Sequence, residues 1–121
     1  MSIEVDLYEY LSNNTAIKSK VEDRIYPVLA KKGVKTPYIT YINVNDMDLT
    51  SAQGENYANV TRFQVDIFSE TYSQGKTILG AVKEALYQFK HTPHDFSSRD
   101  MHEQDTKLYR QLIEFKFINK G

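Results

Sequence analysis

The chain has 121 residues, of which 15 are basic and 16 acidic, for a formal charge of −1, and it contains no cysteine. That excludes disulfides, thiolate nucleophiles and thiolate metal sites. The near-neutral balance also argues against the basic excess with which nucleic-acid binders hold phosphates. The length suits a single domain over residues 1–121, large enough to bury about two-thirds of its unfolded surface.

Ile3, Leu7, Tyr8 and Leu11 share one face of a short helix, with Ser2 placed to cap it and Glu4 and Asp6 in its first turn. This acidic start lacks the basic region of a secretory signal, and no apolar run approaches the roughly 20 residues that cross a bilayer, so no membrane partner is expected. Asn13 and Asn14 should stop the helix. Thr15 then caps a second short turn that continues the buried face through Ala16, Ile17 and Val21. Asp23 to Pro27 reads as a short extended piece, because Pro27 turns Tyr26 away from helix. Lys31 to Pro37 is a polar connection holding the one dense basic patch, Lys31, Lys32 and Lys35, which reads as a solvated connector.

Tyr38 to Val44, rich in β-branched and aromatic residues, is a strand. Asp46 to Asn59, with its Asp, Asn, Ser, Gly and Gln, reads as a mobile loop between antiparallel strands. Val60 to Phe68 alternates as a strand, and apolar residues then recur at helical spacing through Ile78, Leu79, Val82, Ala85, Leu86 and Phe89. Ser73 is placed to cap this helix. Gly75 and Gly80 weaken it by about 1 kcal/mol each relative to Ala, with Gly80 the one expected to let the backbone approach a sheet. Thr92-Pro93 breaks the helix, a short strand is expected through Phe96 and Met101, and Lys107 to Ile118 is the last strand. The class is α+β: an antiparallel or mixed sheet of about four or five strands with two helices packed on one face.

Alternation puts Thr61, Phe63, Val65 and Ile67 with Ile113, Phe115 and Phe117 beneath Val82, Leu86 and Phe89. The opposite face mixes Arg62, Gln64, Asp66, Glu114 and Lys116 with Phe68, Leu112 and Ile118, and Tyr41 joins it in one of the two registers. Polar residues interrupted by large apolar ones suit a subunit contact, which singles out Tyr41, Arg62, Gln64, Phe68, Leu112 and Ile118.

Tests for chemistry are negative. His91 and His94 flank Thr92-Pro93 and His102 precedes Glu103, without the i, i+4 spacing of helical zinc sites. Asp95 with Glu114 and Lys116 imitates a Mg²⁺-dependent nuclease, yet Glu-x-Lys is equally the wet side of an amphipathic strand. Ser97 and Ser98 near His94 lack a nucleophile elbow, and Gly75-Lys76-Thr77 lacks the first glycine and spacing of a phosphate loop. No catalytic residue, metal ligand or cofactor is expected, and the chain reads as a non-enzyme.

Taken in order, Leu7-Tyr8-Glu9-Tyr10-Leu11, Asp23-Arg24-Ile25-Tyr26-Pro27, Thr36-Pro37-Tyr38-Ile39-Thr40-Tyr41, Arg62 to Phe68, Ala81 to Leu86 and Leu108-Tyr109-Arg110 carry a resemblance. Over nearly its whole length the chain resembles the tail-completion, or tail-terminator, proteins of long-tailed bacteriophages, also called tail-to-head joining proteins. The resemblance implies a structural virion protein, usually a hexameric ring, that caps the head-proximal end of the tail tube, ends its polymerisation and forms the joint with the head. It implies the tail tube protein and a head completion or connector protein as partners. Assembly would take place in the host cytoplasm, and DNA would pass through the ring without specific binding. Related readings are another head-tail connector or a minor tail component.

Overall fold

The computed structural model describes residues 3–50, 54 and 56–120. Its elements run α1 (Ile3–Asn13), α2 (Thr15–Val21), β1 (Ile25–Pro27), β2 (Tyr38–Thr50), β3 (Asn56–Ser69), α3 (Tyr72–Tyr87), β4 (Pro93–His102) and β5 (Tyr109–Lys120). The five strands form one mixed sheet in the order β1-β2-β3-β5-β4, antiparallel except for the β1–β2 pair. The α+β class is therefore as expected, and the turn anticipated after Asn14 is long enough to be a third helix.

The caps show why the helices begin where they do. α1 ends at Asn13, as expected, and Asn14 instead of Thr15 caps α2: its side-chain oxygen accepts from the Ile17 backbone N–H at 3.1 Å. Thr71, not Ser73, caps α3, accepting from Gln74 N–H at 3.2 Å. The expected cap of α1, Ser2, lies outside the described residues. Gly75, not Gly80, is the point of close approach. A Cβ at Gly75 would lie 2.7 Å from Ser69 Oγ and 3.3 Å from Gln111 Cγ, whereas Gly80 faces open space.

Two expectations about irregular chain are corrected. Asp46 to Asn59 is mostly ladder: pairing runs from Tyr38↔Phe68 out to Thr50↔Asn56, with register shifts after Asn43 and Leu49. Side chains compensate for the polar composition. Asn59 Nδ2 donates to Asp48 at 2.9 Å and Asn43 Nδ2 to Asp46 at 3.0 Å, so polar residues lace the strand instead of breaking it. The remainder of that loop, residues 51–53 and 55, lies outside the described residues. Pro93 to His102 is a full edge strand, on which a bulge between His94 and Ser97 absorbs the irregular stretch, with Asp95 at φ 55°.

The core fills one face. Phe63, Val65, Ile67, Ile113, Phe115 and Phe117 are buried beneath Ile78, Val82, Leu86 and Phe89 of α3 and the following turn, as alternation predicts. Leu7, Leu11, Ile17 and Val21 extend this layer over Ile25 and Ile39. Phe63, Phe89, Phe115 and Phe117 form a ring cluster with centroids 5.4–6.3 Å apart. Each buried large side chain contributes about 1.5–3 kcal/mol, which makes this layer the main source of stability. Tyr10 joins α1 to α3, stacking on Phe89 at 4.6 Å and donating its hydroxyl to Ala85 O at 2.6 Å.

Candidate interaction surface

The helices leave the opposite sheet face open. Register across β2, β3 and β5 places Arg62, Gln64, Asp66 and Phe68 there, with Arg110, Leu112, Glu114, Lys116 and Ile118 beside them. Five of the six residues singled out from sequence therefore share this face. Tyr41 does not. It pairs with Val65, is buried in the helix-covered core, and its ring lies 5.9 Å from that of Tyr8. The one-residue alternation that left its side undecided resolves toward the helices, and burial raises its phenol pKa above the ordinary value.

The open face divides into two zones. In the first, the chain covers itself: Phe68 is 9% exposed and Leu112 4%. Phe68 stacks on Tyr38 at 4.7 Å and lies under the Arg110 guanidinium at 5.4 Å. Arg110 Nη2 in turn donates to Asp66 Oδ2 at 3.0 Å, and Gln64 Nε2 donates to the same oxygen at 2.9 Å. These side chains are already occupied. In the second zone, toward the outer end of the sheet, Ile118 is 39% exposed opposite Val60, and Arg62 is half-buried. That zone is the part of the face free to meet another surface.

The nuclease-like trio is brought to this face but not into a site. Lys116 Nζ lies 2.8 Å from Asp95 Oδ2, and this bond with the lysine charge holds the Asp95 carboxyl below its ordinary pKa. Glu114 sits one register step away, opposite Ser97. Among the described residues, no three His, Asp or Glu side chains are grouped so as to hold a metal ion. The three histidines are dispersed. His91 binds Asp6, His94 pairs with Lys116 in register, and the His102 ring packs 4.8 Å from that of Tyr109.

Two features were not singled out from sequence. An open cleft of about 690 Å³ between α1 and the end of α3 is lined by Asp6, Tyr10, Asn14, Gln88, Phe89 and Lys90 among others. At its margin His91 Nε2 lies 2.9 Å and Lys90 Nζ 3.5 Å from Asp6 Oδ2. The hydrogen bond from His91, aided by Lys90 and opposed by burial, lowers the Asp6 pKa. A pairing across 85 residues leaves no local signal in the sequence. The second is Val28-Leu29, an exposed aliphatic pair in the connection after β1, with Val28 at φ 65°. Its signal was present, as two large apolar residues at the head of an otherwise polar stretch.

Comparison with known proteins places this geometry. Residues 5–119 match the family model described as tail completion protein gp17. A chain of the virion of a native gene transfer agent particle has the same fold, with a TM-score of 0.80 at 13% identity, covering 99% of this chain and 96% of that one. No curated protein matches the chain in sequence.

Proposed function

The chain belongs to the tail completion protein gp17 family and is a structural component of a phage tail, and from that premise we propose that it is the tail's terminating cap. As one tail-terminator-like domain it assembles into a ring, six copies in the finished tail, on the head-proximal end of the tube. The ring stops tube polymerisation and offers the head completion or connector protein its docking surface. Assembly takes place in the host cytoplasm. The protein contributes no catalysis and no cofactor to it, and DNA passes the ring without specific contacts. A formal charge of −1 suits a wall past which a polyanion slides.

The observation that carries this reading is the family match over residues 5–119. A face half sealed by its own chain, with Arg62 and Ile118 left available, supports contact with neighbouring subunits in the assembled tail. The test is electron microscopy of tails assembled without this protein. Overlong tubes or tubes without heads are expected. Tubes of normal length joined to heads would overturn the reading.

A further inference from the structure

β1 pairs only with Ile39, Thr40 and Tyr41 of β2. Beyond Tyr41 the outer edge of β2 has no strand beside it among the described residues, although β2 continues to Thr50. An uncovered edge presents unpaired backbone groups to another chain. This one also presents side chains of a particular kind. Val44 is 49% and Met47 51% exposed, with Asp46 and Asp48 next to Met47. The two carboxylates accept hydrogen bonds from the neutral amides of Asn43 and Asn59, and no cation among the described residues pairs with them.

The connection that follows β1 has the reciprocal chemistry. Val28 N–H donates to Tyr41 O at 2.7 Å, which holds Val28 at φ 65°. That left-handed backbone is strained for a β-branched residue. The strained segment holds Val28 and Leu29 in solvent, 64% and 79% exposed. Lys31, Lys32 and Lys35 follow, all exposed and none in an ion pair among the described residues. Within one chain Val28 is anchored at Tyr41, and Met47 lies six residues further along β2, roughly 20 Å along the strand.

Building on the ring reading, we propose that these are the two halves of the joint between neighbouring copies of this chain. The Val28–Lys35 connection of one subunit seats on the uncovered β2 edge of the next. Val28 and Leu29 lie against Val44 and Met47, and the lysines face Asp46 and Asp48. Each half carries an apolar pair along with charges opposite in sign to the other's, Asp46 and Asp48 projecting to the other side of the strand from Met47, which favours this pairing over two like surfaces meeting. Because the halves differ, the contact is heterologous, and repetition generates a ring when the rotation closes.

The absence of cysteine makes the joint directly testable. The full chain carrying Leu29→Cys and Met47→Cys together, oxidised and run without reductant, is expected to give a ladder extending past the dimer. Each single variant should run as monomer. Lys31→Glu with Lys32→Glu should weaken self-association by at least about tenfold in sedimentation velocity, about 1.4 kcal/mol. Adding Asp46→Lys and Asp48→Lys to the same chain should restore it, which generalised misfolding would not do. A chain that sediments as an oligomer yet forms no ladder overturns this joint and leaves the ring standing. A ladder that stops at the dimer, or a charge swap that fails to restore association, also overturns the joint. A chain that stays monomeric at every concentration overturns the joint, and tail morphology then decides the ring separately.

Discussion

Gly75 and Gly80 lie five residues apart on one helix and make opposite predictions. Alanine at either position gains about 1 kcal/mol of helix propensity. At Gly80 the added methyl meets nothing within 4 Å, so Gly80→Ala should stabilise by that amount, raising the melting temperature by roughly 4 °C. At Gly75 the methyl would press on Ser69 Oγ, which is buried and engaged with Thr71 O at 2.8 Å. Overpacking of about 1–3 kcal/mol then outweighs the propensity gain, and Gly75→Ala should lose about 1 kcal/mol. Thermal melts of the two variants check the contrast, and equal shifts would refute the close approach. Sequence assigned the approach to Gly80 because helical spacing reveals which face a residue occupies, but not which turn of the helix lies nearest the sheet.

Asp6 supplies the pH dependence. Its carboxyl is held below the ordinary value of 3.8 by His91 first and Lys90 next, against the opposing effect of burial. Since the folded state binds the proton less readily than the unfolded chain, the stabilisation is fully present above pH 3.8. It is lost as pH falls through the lowered folded value. Asp95, held by Lys116, and Asp100, held by Lys76 and Tyr72, act with the same sign. Melting temperature should therefore fall steeply below pH 3.8. Asp6→Asn should lower it at neutral pH and make the acid fall shallower. An unchanged acid limb in that variant would show the cluster to be energetically idle.

Among the elements, those with clean periodicity were legible and those built on polar residues were not. Val60 to Phe68 and the Ile78 to Phe89 stripe meet as their spacing requires, because burial enforces one side-chain face per element. The outer halves of β2 and β3 read as loop, since Asp, Asn and Gly disfavour strands. The cross-strand bond from Asn59 to Asp48 helps hold them in the ladder, and such a pairing appears only once the register is known. β4 was shortened for a similar reason. An edge strand whose residues are mostly exposed needs no apolar alternation, and its bulge at Asp95 breaks what pattern there is.

The candidate contact residues divide along the same line. Alternation found the right face for Arg62, Gln64, Phe68, Leu112 and Ile118, but could not show that Tyr38 and Arg110 already cover Phe68. Phe68→Ala should consequently behave as a core truncation, costing about 3 kcal/mol in chemical denaturation. A loss under 1 kcal/mol would mean that this stack is loose and the ring available to a partner.

For the whole molecule, the free zone around Ile118 makes a contrasting prediction. Ile118→Asp should change stability by no more than about 0.5 kcal/mol, because the side chain is 39% exposed. Incorporation of the variant into tails, followed by particle composition, should fall sharply. Normal incorporation would remove the outer end of the open face from the assembly contacts. Sequence reached the two-faced architecture because one layer of apolar side chains dominates it. It left the contact map undetermined, since a surface built to meet another chain obeys no periodicity of its own.

The strand order also bears on how the chain reaches its native state. β2 with β3, and β4 with β5, are each neighbours in sequence, whereas the β3–β5 ladder between them joins residues forty or more positions apart. Two hairpins can thus close early on local contacts, and the rate of acquiring the native state is set by zipping them together through Val65 and Ile113 under α3. Conservative truncations along that seam should slow refolding, whereas truncations at the rims of either hairpin should mainly hasten unfolding.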